Sequence, residues 1–275
     1  MRSLKIIFVI CFIFINTHLQ AFGKIGHRVI AEIASRELSK SEHEQVLKWT
    51  QGEPLWRVST WADEVRSDSS YRYSTPWHYV NFPYGKTYFD SKRSAEGDLL
   101  FKLFDLDEKL ITKKLTPREM FESINFLVHF MGDLHQPWHI GISEDKGGNT
   151  IDVMWFNKHT NIHAVWDEHL IEFQQLSYTE YAQYLIHKFS SAKNNYCEGN
   201  YYNWAQESRN LLMKINLEVT KKNLSYEYSY NNLSELESQL YKASQRLACI
   251  LKKLVKQEKN NKEFLELNQK IQQNI

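Results

Sequence analysis

The sequence predicts an all-α fold: a single-domain helical bundle arranged around a metal cluster. Three observations lead there. Apolar residues recur at helical spacing through most of the 275 residues. Only five Pro and ten Gly interrupt them. His and Asp stand four residues apart on two periodic segments, which places each pair one turn apart on a single helix face.

Residues 1–21 read as a separate unit. Arg2 and Lys5 precede the apolar run Ile6 to Ile15, and Leu19-Gln20-Ala21 ends on a small residue. That order is the order of a secretory signal peptide, and the run is too short to span a membrane. The expected location is therefore secreted or periplasmic, with cleavage after Ala21 and one domain over residues 22–275. Cleavage leaves 32 of the 34 basic residues against 33 acidic ones. An anionic substrate must then be attracted locally, because no basic surface excess remains. Cys197 and Cys249 stay in the mature chain. They are compatible with one disulfide in an oxidising compartment and equally with two buried thiols.

The elements follow in order. Val29, Ile30, Ile33, Ala34 and Leu38 mark a first helix with His27 in its first turn. Ser41 with Glu44 reads as a capping box opening a second helix through Val46, Leu47 and Trp49. Val58, Trp61, Ala62 and Val65 mark a third, which carries Asp63 and, three residues on, Arg66. Pro76 to Asn81 reads as extended and holds His78. Thr116-Pro117-Arg118-Glu119 is the clearest start signal, a Thr cap with Pro first and Glu third. Phe121, Ile124, Leu127, Val128 and Met131 then form one stripe running towards Pro137. Helical patterns also cover about 161–172, 178–191, 200–222 and 233–257. The segment 142–160, with Gly147-Gly148, reads as a loop holding a short hairpin. From about 256 a polar helical tail, fraying or solvated, is expected.

The chemistry concentrates in His129–Asp133, His139 and His163–Asp167. Imidazole and carboxylate are the ligands Zn²⁺ takes when no thiolate is offered. Taken singly, His27 and His78 read as ordinary partly buried histidines, and Asp63 beside Arg66 as a surface ion pair. Taken together, His27, Asp63, His78, His129, Asp133, His139, His163 and Asp167 exceed one tetrahedral ion, so two or three ions are implied. A helical bundle can aim such groups inward from several helices. His135 lies on a different face from His129 and reads as an orienting residue. His43, His159, His169 and His187 lack partners at useful spacing.

The ordered set resembles a known family over nearly the whole mature chain. It comprises Gly26-His27, Trp61-Ala62-Asp63 with Arg66, Trp77-His78-Tyr79, His129 to His139, Gly147-Gly148-Asn149, and Asn161-Ile162-His163 with Trp166-Asp167. Weaker echoes lie in Trp204 to Ser208 and Ala243 to Leu251. The family is that of the zinc-dependent single-strand-specific nucleases and 3′-nucleotidases (the S-one/P-one type), in a superfamily shared with bacterial zinc phospholipase C.

The resemblance implies three zinc ions. One takes Asp63, His78, His129 and Asp133. A second shares Asp133 and takes His27 with the backbone amine and carbonyl of Phe22, where the family usually has Trp. The third takes His139, His163 and Asp167. The resemblance further implies hydrolysis of single-stranded DNA or RNA to 5′-phosphorylated nucleotides, with 3′-nucleotides as companion substrates. Asp63 orients the attacking water, Arg66 binds phosphate, and the third ion stabilises the leaving oxygen. Tyr79, Gly147, Gly148 and Asn149 line the base, and Lys86 assists phosphate. A monomer without stable membrane association is expected. Two rival readings are a phospholipase of the same superfamily and a non-catalytic secreted protein with structural zinc. The first needs an apolar rim that no segment supplies, and the second fits poorly with so few Cys beside Arg66.

Overall fold

The structure is a computed structural model that describes residues 22–273, except 93, 193, 220 and 221, with side chains as far as 260 apart from that of 218. The signal peptide expected at 1–21 lies outside the described residues.

The bundle is centred on one buried helix. α1 (Lys24–Arg36), α2 (Lys40–Trp49), α5 (Leu99–Thr112), α10 (Tyr201–Glu218) and α11 (Tyr226–Gln273) surround α6 (Pro117–His135), and α9 (Tyr178–Lys188) lies outside them. α6 packs on α11, α5 and α10, and α1 packs on α11 and α9. Thr116 and Glu119 form the reciprocal cap that starts α6, as the sequence predicts. From Ser123 to His135 every residue of α6 is buried. An all-round buried helix can present polar side chains only to other protein groups or to a bound ligand.

Several boundaries differ from the sequence expectation. The second helix is capped by Ser39 and Glu42, two residues before the expected Ser41 and Glu44 pair. Both pairs satisfy the Ser-x-x-Glu pattern, and the earlier one wins. The expected third helix is three short turns: α3 (Leu55–Val58), α4 (Trp61–Glu64) and a 3₁₀ turn Val65–Ser67. A long 3₁₀ segment, Ser69–His78, replaces the extended reading up to His78, and strand begins only with β1 (Val80–Phe82). α5 was not anticipated, although its Asp98 cap and its buried Leu99, Leu100, Leu103 and Leu106 follow helical spacing. The tail from 256, by contrast, is helical as expected, α11 continuing to Gln273.

Two small sheets brace one end of the bundle. β1 pairs in parallel with β2 (Ile140–Ile142), so Asn81 lies opposite Gly141. β3 (Asp152–Trp155) and β4 (Lys158–Asn161) form the expected hairpin. Phe156 and Asn157 both have positive φ at its tip, as a type I′ turn requires. β5 (Asn223–Leu224) joins β3 in parallel. α7 (Ile162–Ala164), a π-helical turn Val165–His169 and α8 (Leu170–Glu172) follow the hairpin. Cys197 and Cys249 are joined by a disulfide with Cα atoms 5.6 Å apart, which closes the alternative left open by the sequence. No helix among the described residues is long and apolar enough to cross a membrane.

Candidate metal centre

The buried end of α6 supplies the middle of the site. His129 and Asp133 lie on one face with His129 Nε2 3.4 Å from Asp133 Oδ2. α1 brings His27 Nε2 to 3.4 Å from Asp133 Oδ1. Its ring stacks on His129 at 3.9 Å. Gly132 makes room for that ring, since a Cβ there would sit 2.7 Å from His27 Cε1 and Nδ1. The 3₁₀ segment delivers His78, whose Nδ1 is 3.1 Å from both His129 Nε2 and Asp133 Oδ2. Asp63, on the short α4 turn, has oxygens 3.7 Å from His78 Nδ1 and 3.8 Å from His129 Nε2. Arg66 Nη1 donates to Asp63 Oδ1 at 3.1 Å.

A third group lies alongside. His163 Nε2 is 3.0 Å from Asp167 Oδ2, and His139 Nε2 is 3.6 Å from Asp167 Oδ1. His139 Nδ1 is 4.0 Å from Asp133 Oδ1, so the groups adjoin. Three triads therefore converge: His27–His129–Asp133, Asp63–His78–His129 and His139–His163–Asp167.

These atoms fit a cation better than they fit each other. His27 Nδ1 and Nε2, His78 Nε2, His139 Nε2, His163 Nε2 and Asp133 Oδ1 are buried without a hydrogen-bond partner. Buried polar groups are almost always paired, so a cluster of unpaired ones marks a binding position. The outer ring nitrogens are held by main chain. His129 Nδ1 donates to Ser59 O at 2.7 Å, His139 Nδ1 to His78 O at 2.6 Å, and His163 Nδ1 to Gly147 O at 2.6 Å. That donation fixes the tautomer and leaves each Nε2 as a lone-pair donor, the usual outer shell of a metal-ligating histidine. Mixed imidazole and carboxylate donors suit a borderline ion; magnesium or calcium would call for oxygen alone.

The electrostatics agree. Burial, and then the neighbouring His129 and His139, hold His27 well below the usual imidazole range. Burial, His129 and Arg66 do the same to His78. Burial, Asp63 and Asp167 push the Asp133 carboxyl well above its usual range. A cation among them reverses that penalty. Asp167 behaves differently: burial opposes its ionisation, yet His163 and His139 draw it down to about 2.

A model of the S1/P1 nuclease family matches residues 22–256. The chain belongs to that family. Endonuclease 2 of Arabidopsis thaliana is 29% identical over 187 residues, 62% of this chain and 63% of its own length. Endonuclease 4 of the same plant is 31% identical over 166 residues, 55% and 56% of the two lengths. Nuclease S1 of Aspergillus oryzae is 24% identical over 260 residues, 84% and 90%. The chain thus spans somewhat less than two thirds of the first two relatives.

Within this family member a cavity of about 350 Å³ adjoins the cluster, reached through His78, His139 and His163. Its wall includes His78, His139, His163, Arg66, Tyr79 and Asn149, all predicted from the sequence. Lys146, Asn81 and Asn161 also line it and were not anticipated. Lys86 does not: it is exposed on the turn after β1. Lys146 is the lysine on the wall. Gly147 and Gly148 sit behind the wall. Both have positive φ, and a Cβ on Gly147 would lie 2.6 Å from the Trp138 carbonyl. They shape the turn before Asn149, and the Gly147 carbonyl accepts from His163 Nδ1. Phe22 is fully buried. Gly23 N donates to the Asp167 carbonyl at 2.6 Å, so the start of the domain is tied to the third triad. His135 stands apart, donating to Met131 O and facing Arg246 at 3.0 Å.

Proposed function

We propose that this chain is a secreted or periplasmic zinc-dependent nuclease. It hydrolyses single-stranded DNA and RNA to 5′-phosphorylated nucleotides, removes phosphate from 3′-nucleotides, and acts as a monomer without membrane attachment. The observation that carries this reading is the convergence of three His/Asp triads, next to a cavity walled by His78, His139, His163 and Arg66.

Asp63, His78, His129 and Asp133 would hold one ion. His27 and Asp133, with the Phe22 backbone, would hold a second, and His139, His163 and Asp167 a third. When bound, zinc supplies Lewis-acid chemistry, lowering the pKa of water from about 15.7 towards about 7 and countering charge on phosphate oxygens. Asp63 orients the attacking water. Arg66 offers the planar fork that matches two phosphate oxygens, and its bond to Asp63 holds the fork at the cavity wall. Tyr79 presents a ring on which an unpaired base stacks. Asn149 is anchored through Nδ2 to Lys146 O at 2.9 Å, which leaves its oxygen to accept from a base.

Single-strand preference follows from depth. His78 and His139 are only 3% exposed, so the scissile phosphate must enter the cavity, and a stacked duplex cannot follow it. The test compares nucleotide release from single-stranded DNA, duplex DNA and phosphatidylcholine hydrolysis. Release from single strands alone is expected. Headgroup hydrolysis without nucleotide release would favour the phospholipase reading, and no hydrolysis by zinc-loaded protein the non-catalytic one.

A further inference from the structure

Gln136 is a polar residue with 0% exposure, at the junction between α6 and the 3₁₀ turn Pro137–His139. Both ends of its amide are used. Oε1 accepts from Trp138 N at 2.6 Å, capping the turn that carries His139. Nε2 donates to Asp167 Oδ1, 31 residues away in sequence. Its own carbonyl accepts from His139 N at 3.0 Å.

The partners dictate the orientation. A main-chain N–H needs an acceptor and a carboxylate needs a donor, so the amide cannot flip without two repulsive contacts. Glu in its place would set carboxylate against carboxylate. Asn, one methylene shorter, keeps an acceptor for Trp138 N but cannot reach Asp167. With Oδ1 held by Gln136, Asp167 is left with Oδ2, 3.0 Å from His163 Nε2. One side chain therefore sets the rotation of Asp167 and the position of the turn bearing His139, two of the three members of the third triad.

We infer that Gln136 is the positioning residue of the third metal site, selectively setting its affinity while leaving the two sites built on Asp133 alone. This rests on reading the third triad as a metal site. Outer-shell partners of metal ligands typically contribute 10–100-fold in affinity, which is about the loss expected here.

The test is a zinc titration of the processed, chelator-stripped enzyme by calorimetry and metal analysis, for wild type, Gln136→Met and Gln136→Asn. Methionine keeps the volume and removes both bonds; asparagine removes only the bond to Asp167. The wild type should take up three ions. Both variants should keep two at wild-type affinity, hold the third about 10–100-fold more weakly, and regain turnover in excess zinc. Circular dichroism and melting of the zinc-free proteins check the fold, and the asparagine variant carries the test should the methionine one not fold. Three ions at unchanged affinity in either folded variant, or equal weakening at all sites, would overturn the role of Gln136. A wild type that binds only two ions would remove the third site and this role together, leaving the nuclease assay to judge the wider proposal.

Discussion

Replacing Asp133 with Ala separates the cost of the site from its benefit. Asp133 is fully buried, and its oxygens lie 3.4, 3.1, 3.4 and 4.0 Å from ring nitrogens of His27, His78, His129 and His139. Without a cation, burial and the nearby Asp63 and Asp167 raise its folded-state pKa well above the unfolded value. The sign of the linkage follows. A raised carboxyl pKa costs nothing below the unfolded value, and the destabilisation grows as pH rises through the folded one. Near neutrality the zinc-free Asp133→Ala protein is therefore expected to be at least as stable as zinc-free wild type, and to lose that advantage in acid. Zinc reverses the order. Two ions, each at about 100 times its dissociation constant, contribute about 2.7 kcal/mol apiece, or about 5 kcal/mol together. For a chain of this size that is roughly 10–20 °C in Tm. Melting with and without chelator measures both terms, and nucleotide release measures function, which the variant should lack. An equal zinc-induced rise in Tm in both proteins, or wild-type turnover in the variant, would refute the reasoning.

Three further outcomes follow from named contacts. Arg66→Ala should lower kcat/KM on single-stranded DNA by about 10²–10³-fold, the usual effect of removing a donor to developing charge. Zinc content should not change, and Arg66→Lys should restore activity only in part because it lacks the fork; full activity in Arg66→Ala would exclude the phosphate role. Gly132→Ala places a methyl 2.7 Å from the His27 ring, so calorimetry should show a weakened ion at His27 and Asp133. Replacing Cys197 and Cys249 with Ser opens a link spanning 52 residues, worth about 4 kcal/mol by loop entropy. Tm should fall while KM and zinc content stay as in wild type.

Two of the His/Asp pairs that the fold brings together were legible because their signal is local. His129 with Asp133, and His163 with Asp167, share a face at a spacing of four, and neither needs tertiary knowledge. The second pair keeps its 3.0 Å contact even though Asp167 sits on a π-helical turn after α7. What was hidden depends on contacts distant in sequence. Lys86 and Lys146 are alike in composition, and only the fold shows which one reaches the cavity. β1 and β2 pair across about 60 residues with no turn to announce them. Gln136 looks like one more residue before a proline until Asp167 comes round to meet it. Gly132 reads as a helix weakness until His27 fills the space above it. α5 was missed although it could have been read: Asp98 accepts from Phe101 N at 2.9 Å, a cap whose spacing the sequence displays.

The most direct test is a metal count on the purified, processed protein, with its nuclease activity followed through chelation and zinc return. Three zinc ions per chain are expected, with activity lost on stripping and recovered on reloading. A metal-free preparation that still cuts single-stranded DNA would contradict the account.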